Sequence, residues 1–439
     1  MSQTQTELKY SRIFVFWYPL ALTWIMMSIE GPFLAAVIAR MGEVKLNLAA
    51  YGIAYSFGLV VEAPIIMLMS ASTTLVKNEF TYSKLKNFTI YINSFVTLFI
   101  VILIIPPVFD FVAYKILQIP EKIAEITHLA TVFLIPWPAA IGFRRFYQGI
   151  LIRSGLTRIV AYTTVFRLVF MGITAVTLFN ITNLKGAYVG TIALSTGVIA
   201  EALAAYFLAQ SSISEVKLND NTIDSDLTYT KITKFYVPLA LTPFIALSAQ
   251  PIVTLFLAKS VRPIDSLAVM PVVHSLTFIF RSMGLSYQEV AITFLNENAK
   301  AYYKKIRNFA FIIAFGSTSA VFLLTATPLA DLWFIKVSAL TPDLADFAII
   351  PAMIMSLLPA LTVFISFERS VLVKDKITTP ISVATLIEVM VIITSLFCFI
   401  SFSTIPGAIV AAISFVIGRL FSNTFLYPIM NKSINRLIA

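Results

Sequence analysis

The sequence predicts an all-α integral membrane protein: twelve transmembrane helices in two six-helix lobes related by a parallel pseudo-two-fold repeat. Three observations carry this expectation. Of the 439 residues, 59% are hydrophobic and 12% charged, whereas a soluble domain is about half apolar and a quarter charged. Twelve apolar runs are each long enough for a bilayer core about 30 Å thick. The second half of the chain also repeats the first at a nearly constant offset.

The apolar runs fall at about 14–39, 49–76, 88–109, 127–151, 159–180, 186–208, 235–258, 267–295, 308–327, 347–371, 378–401 and 406–430. They are too long for barrel strands of about 10 residues and do not alternate polar with apolar, so helices are expected. Runs beyond 25 residues imply tilt, bending or emergence into water. A formal net charge of +10 would suit nucleic acid, but its distribution reads as topology. With the N-terminus inside, eighteen Lys and Arg fall in the inner loops and tails and eight in the outer loops. The positive-inside rule then orients both termini to the cytoplasm, in a cell (inner) membrane. No nucleic-acid partner is expected.

Self-comparison at an offset of 219 aligns Pro19 with Pro238, Leu20–Thr23 with Leu239–Thr242, and Pro32 with Pro251. At 221, "KLKNF" (84–88) meets "KIRNF" (305–309), Asp110 meets Asp331, and Gly186-Ala187 meets Gly407-Ala408. Greasy helices alone would not keep prolines and loop charges in register. Six helices per copy give both copies the same orientation, hence a parallel repeat. The expected division is an N-terminal lobe over 1–208, a polar cytoplasmic linker over 209–234 and a C-terminal lobe over 235–439. Pro19, Pro32, Pro238, Pro243 and Pro251 mark the first helix of each lobe as a candidate broken helix beside a midplane site.

A charge at the centre of a membrane helix costs about 2.5–3.5 kcal/mol and needs a partner or water. For Arg144, Arg145, Glu289, Glu368 and Arg369, near predicted helix ends, snorkelling is the expectation. Glu30, Glu62, Arg167, Arg281 and Glu388 sit deeper. The repeat sets Glu62 against Arg281 and Arg167 against Glu388; the pairs read either as a latch between lobes or as static pairs within the helices. Glu30 has no counterpart, since the second half offers Ala249 and Gln250. Read as an unpaired carboxylate, it is what proton or cation coupling requires, and Arg40, ten residues on, is too distant to neutralise it. Gln250, Tyr51, Tyr55 and His274 would add polar contacts to a substrate.

The remaining chemistry is sparse. Cys398 stands alone, and His128 and His274 have no metal-ligand spacing to any acid or thiol. No Walker loop or nucleophile elbow appears, so neither an ATP-driven pump nor an enzyme is expected, and no cofactor.

The stretch "RRFYQGILIRSGLTR" (144–158) resembles the signature after the fourth helix of the multidrug and toxic compound extrusion (MATE) family. "LAAYGIAYSF" (48–57), "VPLALT" (237–242), "QPIVTLFLAKS" (250–260) and "MPVVHS" (270–275) are similar to stretches of the progressive ankylosis (ANK) family in the same superfamily. The resemblance implies a monomeric secondary transporter among membrane lipids, alternating between cleft-open states. MATE relatives exchange drugs for H+ or Na+; ankylosis relatives are associated with export of organic anions such as pyrophosphate, citrate or nucleotides. The MATE first-helix acid lies about one turn further from its proline than Glu30 from Pro19. Glu30 is the expected coupling residue, and an organic anion the expected cargo, since guanidinium groups suit carboxylate and phosphate. A flippase for a lipid or lipid-linked headgroup, or a multidrug/cation antiporter, is the alternative.

Overall fold

The computed structural model describes residues 8–38, 40–117, 120–218, 227–338 and 340–438. The first half of the chain forms α1 (Tyr10–Ile38), α2 (Val44–Glu62), α3 (Leu68–Leu75), α4 (Glu79–Leu103), α5 (Pro106–Asp110), α6 (Glu121–Val132), α7 (Pro136–Arg153), α8 (Thr157–Ile181), α9 (Gly186–Leu208) and α10 (Gln210–Leu218). The second half forms α11 (Tyr229–Ala258), α12 (Pro263–Ala326), α13 (Leu329–Asp331), α14 (Pro342–Met355), α15 (Leu358–Lys374), α16 (Thr379–Phe402) and α17 (Gly407–Ile438). Among the described residues the β content is one isolated bridge, Val261 to Pro406.

Helices dominate because lipid offers the backbone no hydrogen-bonding partner, so each spanning segment must satisfy its own. Nine stretches are by themselves long and apolar enough to span, and α6–α7, bent by 43°, makes a tenth. Helix α12 leaves helical geometry at Asn298 (φ −160°, ψ 92°) and so holds two spans. The apolar α2, continued by α3, completes twelve. The protein is a multi-pass membrane protein.

The first helices are not broken. Both α1 and α11 run unbroken past their prolines. A membrane helix tolerates proline when nearby groups take up the freed backbone polarity. The interruptions lie elsewhere: around Pro64 between α2 and α3, before Pro136 between α6 and α7, and before Pro359 between α14 and α15. Part of the expected linker, 209–234, is helical, in α10 and the start of α11; residues 219–226 of it lie outside the described residues.

The duplication is written into the backbone. Left-handed residues recur at repeat-related places: Glu43 (φ 51°) with Arg262 (φ 55°), and Gly155 (φ 78°) with Lys376 (φ 60°). Single π-helical turns follow α5 and α13, over Phe111–Ile116 and Leu332–Val337. The Asn47 side chain accepts from the Ala187 amide at 3.1 Å, and Ser266 accepts from Ala408 at 3.0 Å.

Two compact units result, and each takes part of the other repeat's first helix. One comprises Ile25–Ala240; the other comprises Met1–Trp24 with Leu241–Ala439. We call them the N-terminal and C-terminal lobes. Within the C-terminal lobe, Trp17 Nε1 donates to the Met283 carbonyl at 3.2 Å and to Ser286 Oγ at 3.0 Å, and Phe16 packs on Phe294. Within the N-terminal lobe, Tyr236, the repeat mate of Trp17, donates its hydroxyl to the carbonyl of Pro64, the repeat mate of Met283.

In the N-terminal lobe α9 packs on α7 and α8; in the C-terminal lobe α17 packs on α15 and α16. Glycine sets the spacing. A Cβ on Gly197 would sit 2.9 Å from the Arg167 carbonyl; one on Gly418, its repeat mate, 2.9 Å from the Glu388 carbonyl. These glycines therefore press each helix against the turn that carries a buried charge. Gly197→Ala and Gly418→Ala are each expected to lower stability by about 1–3 kcal/mol through overpacking. Thermal unfolding in detergent checks this, with Gly316→Ala, where a Cβ meets nothing within 4 Å, as the neutral control.

Candidate functional site

Among the described residues, the N-terminal lobe buries six charged side chains. Helix α7 carries Arg144, Arg145 and Gln148, and its glycines let neighbours close in: a Cβ on Gly142 would strike Asn93 of α4, and one on Gly149 would strike Ser72 and Met69 of α3. Arg144 and Arg145 are consequently buried, with 1% and 5% of their surface exposed. The snorkelling expectation for them fails because the break before Pro136 places them mid-helix. Glu289 and Glu368 are also buried, and Arg369 is half-buried.

Glu201, on α9, is the hub. Its carboxylate is fully buried and accepts from Arg144 Nη1 at 2.7 Å, Gln148 Nε2 at 3.1 Å and Thr164 Oγ1 at 2.9 Å. Arg167 Nη1 approaches it at 3.5 Å. The spacing explains the convergence. Arg144 and Gln148 are four apart on α7, and Thr164 and Arg167 three apart on α8, so each pair shares a helix face. Charge-assisted hydrogen bonds of this kind are the strong ones.

Glu30 is not unpaired. Arg167 Nη2 donates to its Oε2 at 2.5 Å, both side chains being buried. The partner comes from α8, a helix the sequence does not place beside α1. Glu30 Oε1 keeps no hydrogen bond. Glu62, the last residue of α2 at its break, is buried within electrostatic reach of Arg144, Arg145 and Arg167. Tyr51 and Tyr55 stack at 6.1 Å on α2, within reach of Glu30 and Arg167. Three glutamates thus face three arginines, and the lobe's buried charge balances.

The C-terminal lobe is built differently. Glu388 on α16 pairs with Arg419 on α17 at 2.8 Å. Arg281 Nε donates to Thr362 at 3.2 Å and Arg369 Nη2 to Thr385 at 3.0 Å. Arg281 and Arg369 both lie in the field of Arg419 and Glu388. With Glu289 and Glu368 added to Glu388, three buried glutamates accompany three half-buried arginines among the described residues of this lobe as well. His274 is half-buried, edge-on to Phe415 at 4.7 Å, its Nε2 without a hydrogen bond, and lies within the field of Arg281. Gln250 is on α11, and its side chain lies outside the described residues.

Arg167 is thus matched inside one lobe and Glu388 inside the other. The α8–α9 pair carries Arg167 facing Glu201; the equivalent α16–α17 pair carries Glu388 facing Arg419, the same device with its polarity reversed. Sequence reasoning placed Arg144 among the snorkelling residues and counted Glu201 among the intramembrane charges without giving it a partner. Among the described residues no group of three or more His, Cys, Asp or Glu is placed to hold a metal.

No protein-family model and no curated protein matches the chain. Solved structures do. A MATE structure in complex with MaL6 aligns at TM-score 0.76 and 16% identity, covering 97% of this chain and 96% of that one. The outward-facing conformation of a multidrug resistance MATE family transporter of the MOP superfamily gives 0.75 and 16%, over 98% and 96%. A MOP superfamily transporter from Pyrococcus furiosus, described as having a reverse polarity of binding pocket that suggests a different function, gives 0.75 and 15%, over 98% and 96%. The chain has the fold of the MATE transporters.

Removing one partner of a buried ion pair leaves an uncompensated charge and costs about 3–5 kcal/mol. Glu201→Leu is expected to destabilise by that amount. Adding Arg144→Leu should recover much of the loss by restoring charge balance, which a double-mutant cycle of thermal unfolding measures.

Proposed function

We propose that this chain is a secondary active transporter that works by alternating access, coupled to H+ or Na+, and exports a small organic solute, an organic anion by preference. The observation that carries the reading is the buried Glu30–Arg167 pair, which joins the one unduplicated carboxylate of the first helix to an arginine on α8. The MATE fold supports it. The Pyrococcus furiosus neighbour, described as reversed in pocket polarity, offers a precedent for a different cargo on this scaffold. We further propose a monomer in the inner membrane with both termini cytoplasmic.

The pair suggests how coupling works. With Glu30 ionised, Arg167 is satisfied by it. A proton on Glu30 alone leaves Arg167 only its longer contact to Glu201, and an anion on Arg167 alone strands Glu30; either state leaves a poorly compensated buried charge. Proton and anion together satisfy both groups. The two therefore bind cooperatively, and by linkage each raises the affinity for the other. A cationic drug would instead compete with the proton for Glu30, which is the antiporter reading.

Proteoliposomes test this with citrate, pyrophosphate and ATP as probes. Wild-type flux of an anion should rise when the side from which it is taken up is acidified, and Glu30→Gln should abolish that dependence. Arg167→Lys should lower flux about tenfold or more, the scale of one charged hydrogen bond. Glu30→Gln moving every probe as well as wild type under each ion gradient would remove the coupling role.

A further inference from the structure

A cavity of about 560 Å³ opens in the C-terminal lobe between the second half of α12, α15 and α17. Its walls include Tyr303, Phe311 and Phe364, its floor Glu368 and Asn423, and its rim Arg307. Both floor residues are buried, Glu368 with 5% and Asn423 with 9% of its surface exposed. Each presents an acceptor with no partner: Glu368 Oε2 and Asn423 Oδ1. The Asn423 amide nitrogen is already spent on the carbonyls of Leu361 and Arg419, at 3.2 and 2.8 Å, which fixes the oxygen as the free end. The neighbouring Arg369 turns to Thr385. Two orphaned acceptors in a low-dielectric floor call for a ligand that donates.

The other repeat has no such demand. Tyr147 occupies the place of Glu368, Ala202 that of Asn423 and Leu203 that of Thr424, at the offset of 221. Tyr147 is buried there against Tyr206 at 5.2 Å. Three apolar or aromatic positions have become polar in one lobe only, around a hole.

The cavity looks sideways into the bilayer. Phe311 and Tyr427 on its lip are more than half exposed, and Phe315, one turn beyond Phe311, is 78% exposed. Glu368 lies six residues before the end of α15, about 9 Å along the helix, near head-group depth. Arg307, exposed at the rim, is the basic group that a phosphate would meet.

We propose that this cavity is a lipid site that selects a primary-ammonium head group of the phosphatidylethanolamine kind. The ammonium donates to Glu368 and Asn423, the phosphate meets Arg307, and the acyl chains leave past Phe311 and Tyr427. A quaternary choline head group has no N–H to give, and a glycerol head group has no charge to balance Glu368. The site is independent of the transport reading, since it needs only the C-terminal lobe.

Native mass spectrometry of the full chain in detergent tests it, with phosphatidylethanolamine, phosphatidylcholine and phosphatidylglycerol of identical acyl chains as the probes. The ethanolamine lipid is expected to be retained about tenfold over the other two, and Glu368→Gln to reduce that preference to less than about twofold. Thr424→Trp, at an exposed position on the cavity lining, should block retention without disturbing the fold, so the test stands even if Glu368→Gln fails to fold. Equal retention of the three lipids in the wild type, or an ethanolamine preference that survives Thr424→Trp, overturns the proposal. Displacement of the lipid by an equal concentration of soluble glycerophosphoethanolamine overturns its lipid assignment.

Discussion

A carboxylate that solvent does not reach must find its counter-charge within the fold, and Glu201 imposes that condition on the N-terminal lobe. Arg144 and Gln148 have to come from α7, and Thr164 and Arg167 from α8, at hydrogen-bonding distance from one turn of α9. Gly197 permits the approach, and Arg167, once held there, reaches Glu30 on α1. The register of four helices is therefore tied to one buried group. Hydrophobic burial alone would not choose that register, because lipid tails are as apolar as the helix faces they touch.

The two lobes share a backbone and differ in chemistry. Repeat-related turns, caps and glycines persist, while the buried charges do not. Both lobes set three buried glutamates beside three arginines, but the N-terminal lobe faces Arg167 of α8 with Glu201 of α9, whereas the C-terminal lobe pairs Glu388 of α16 with Arg419 of α17.

Much of this was legible in the sequence. Twelve apolar runs, the two offsets and the deep placement of Arg167 and Glu388 follow from hydropathy and self-comparison. Other features were not. Arg144 was misplaced because its depth depends on where α7 begins, and a break before Pro136 decides that. The bends were assigned to Pro19 and Pro32, yet they occur near Pro64, Pro136 and Pro359, since whether a proline breaks a helix depends on what its neighbours offer the freed backbone groups. The partner of Glu30 was missed because pairing between α1 and α8 is tertiary. A clue existed in "RRFYQG" (144–149), whose Arg144 and Gln148 share a face and demand an acid; Glu201 was the buried acid without an assigned mate.

The exchange of first-helix halves also constrains synthesis. The lobe that spans Ile25–Ala240 is not finished when its own six helices have emerged, because Tyr236 and its neighbours belong to α11. In the opposite lobe Trp17, which precedes all of the first repeat's other helices, finds its partners only when Met283 and Ser286 of α12 follow. A chain cut within the polar stretch between the repeats would leave each fragment without part of a helix that packs in its lobe.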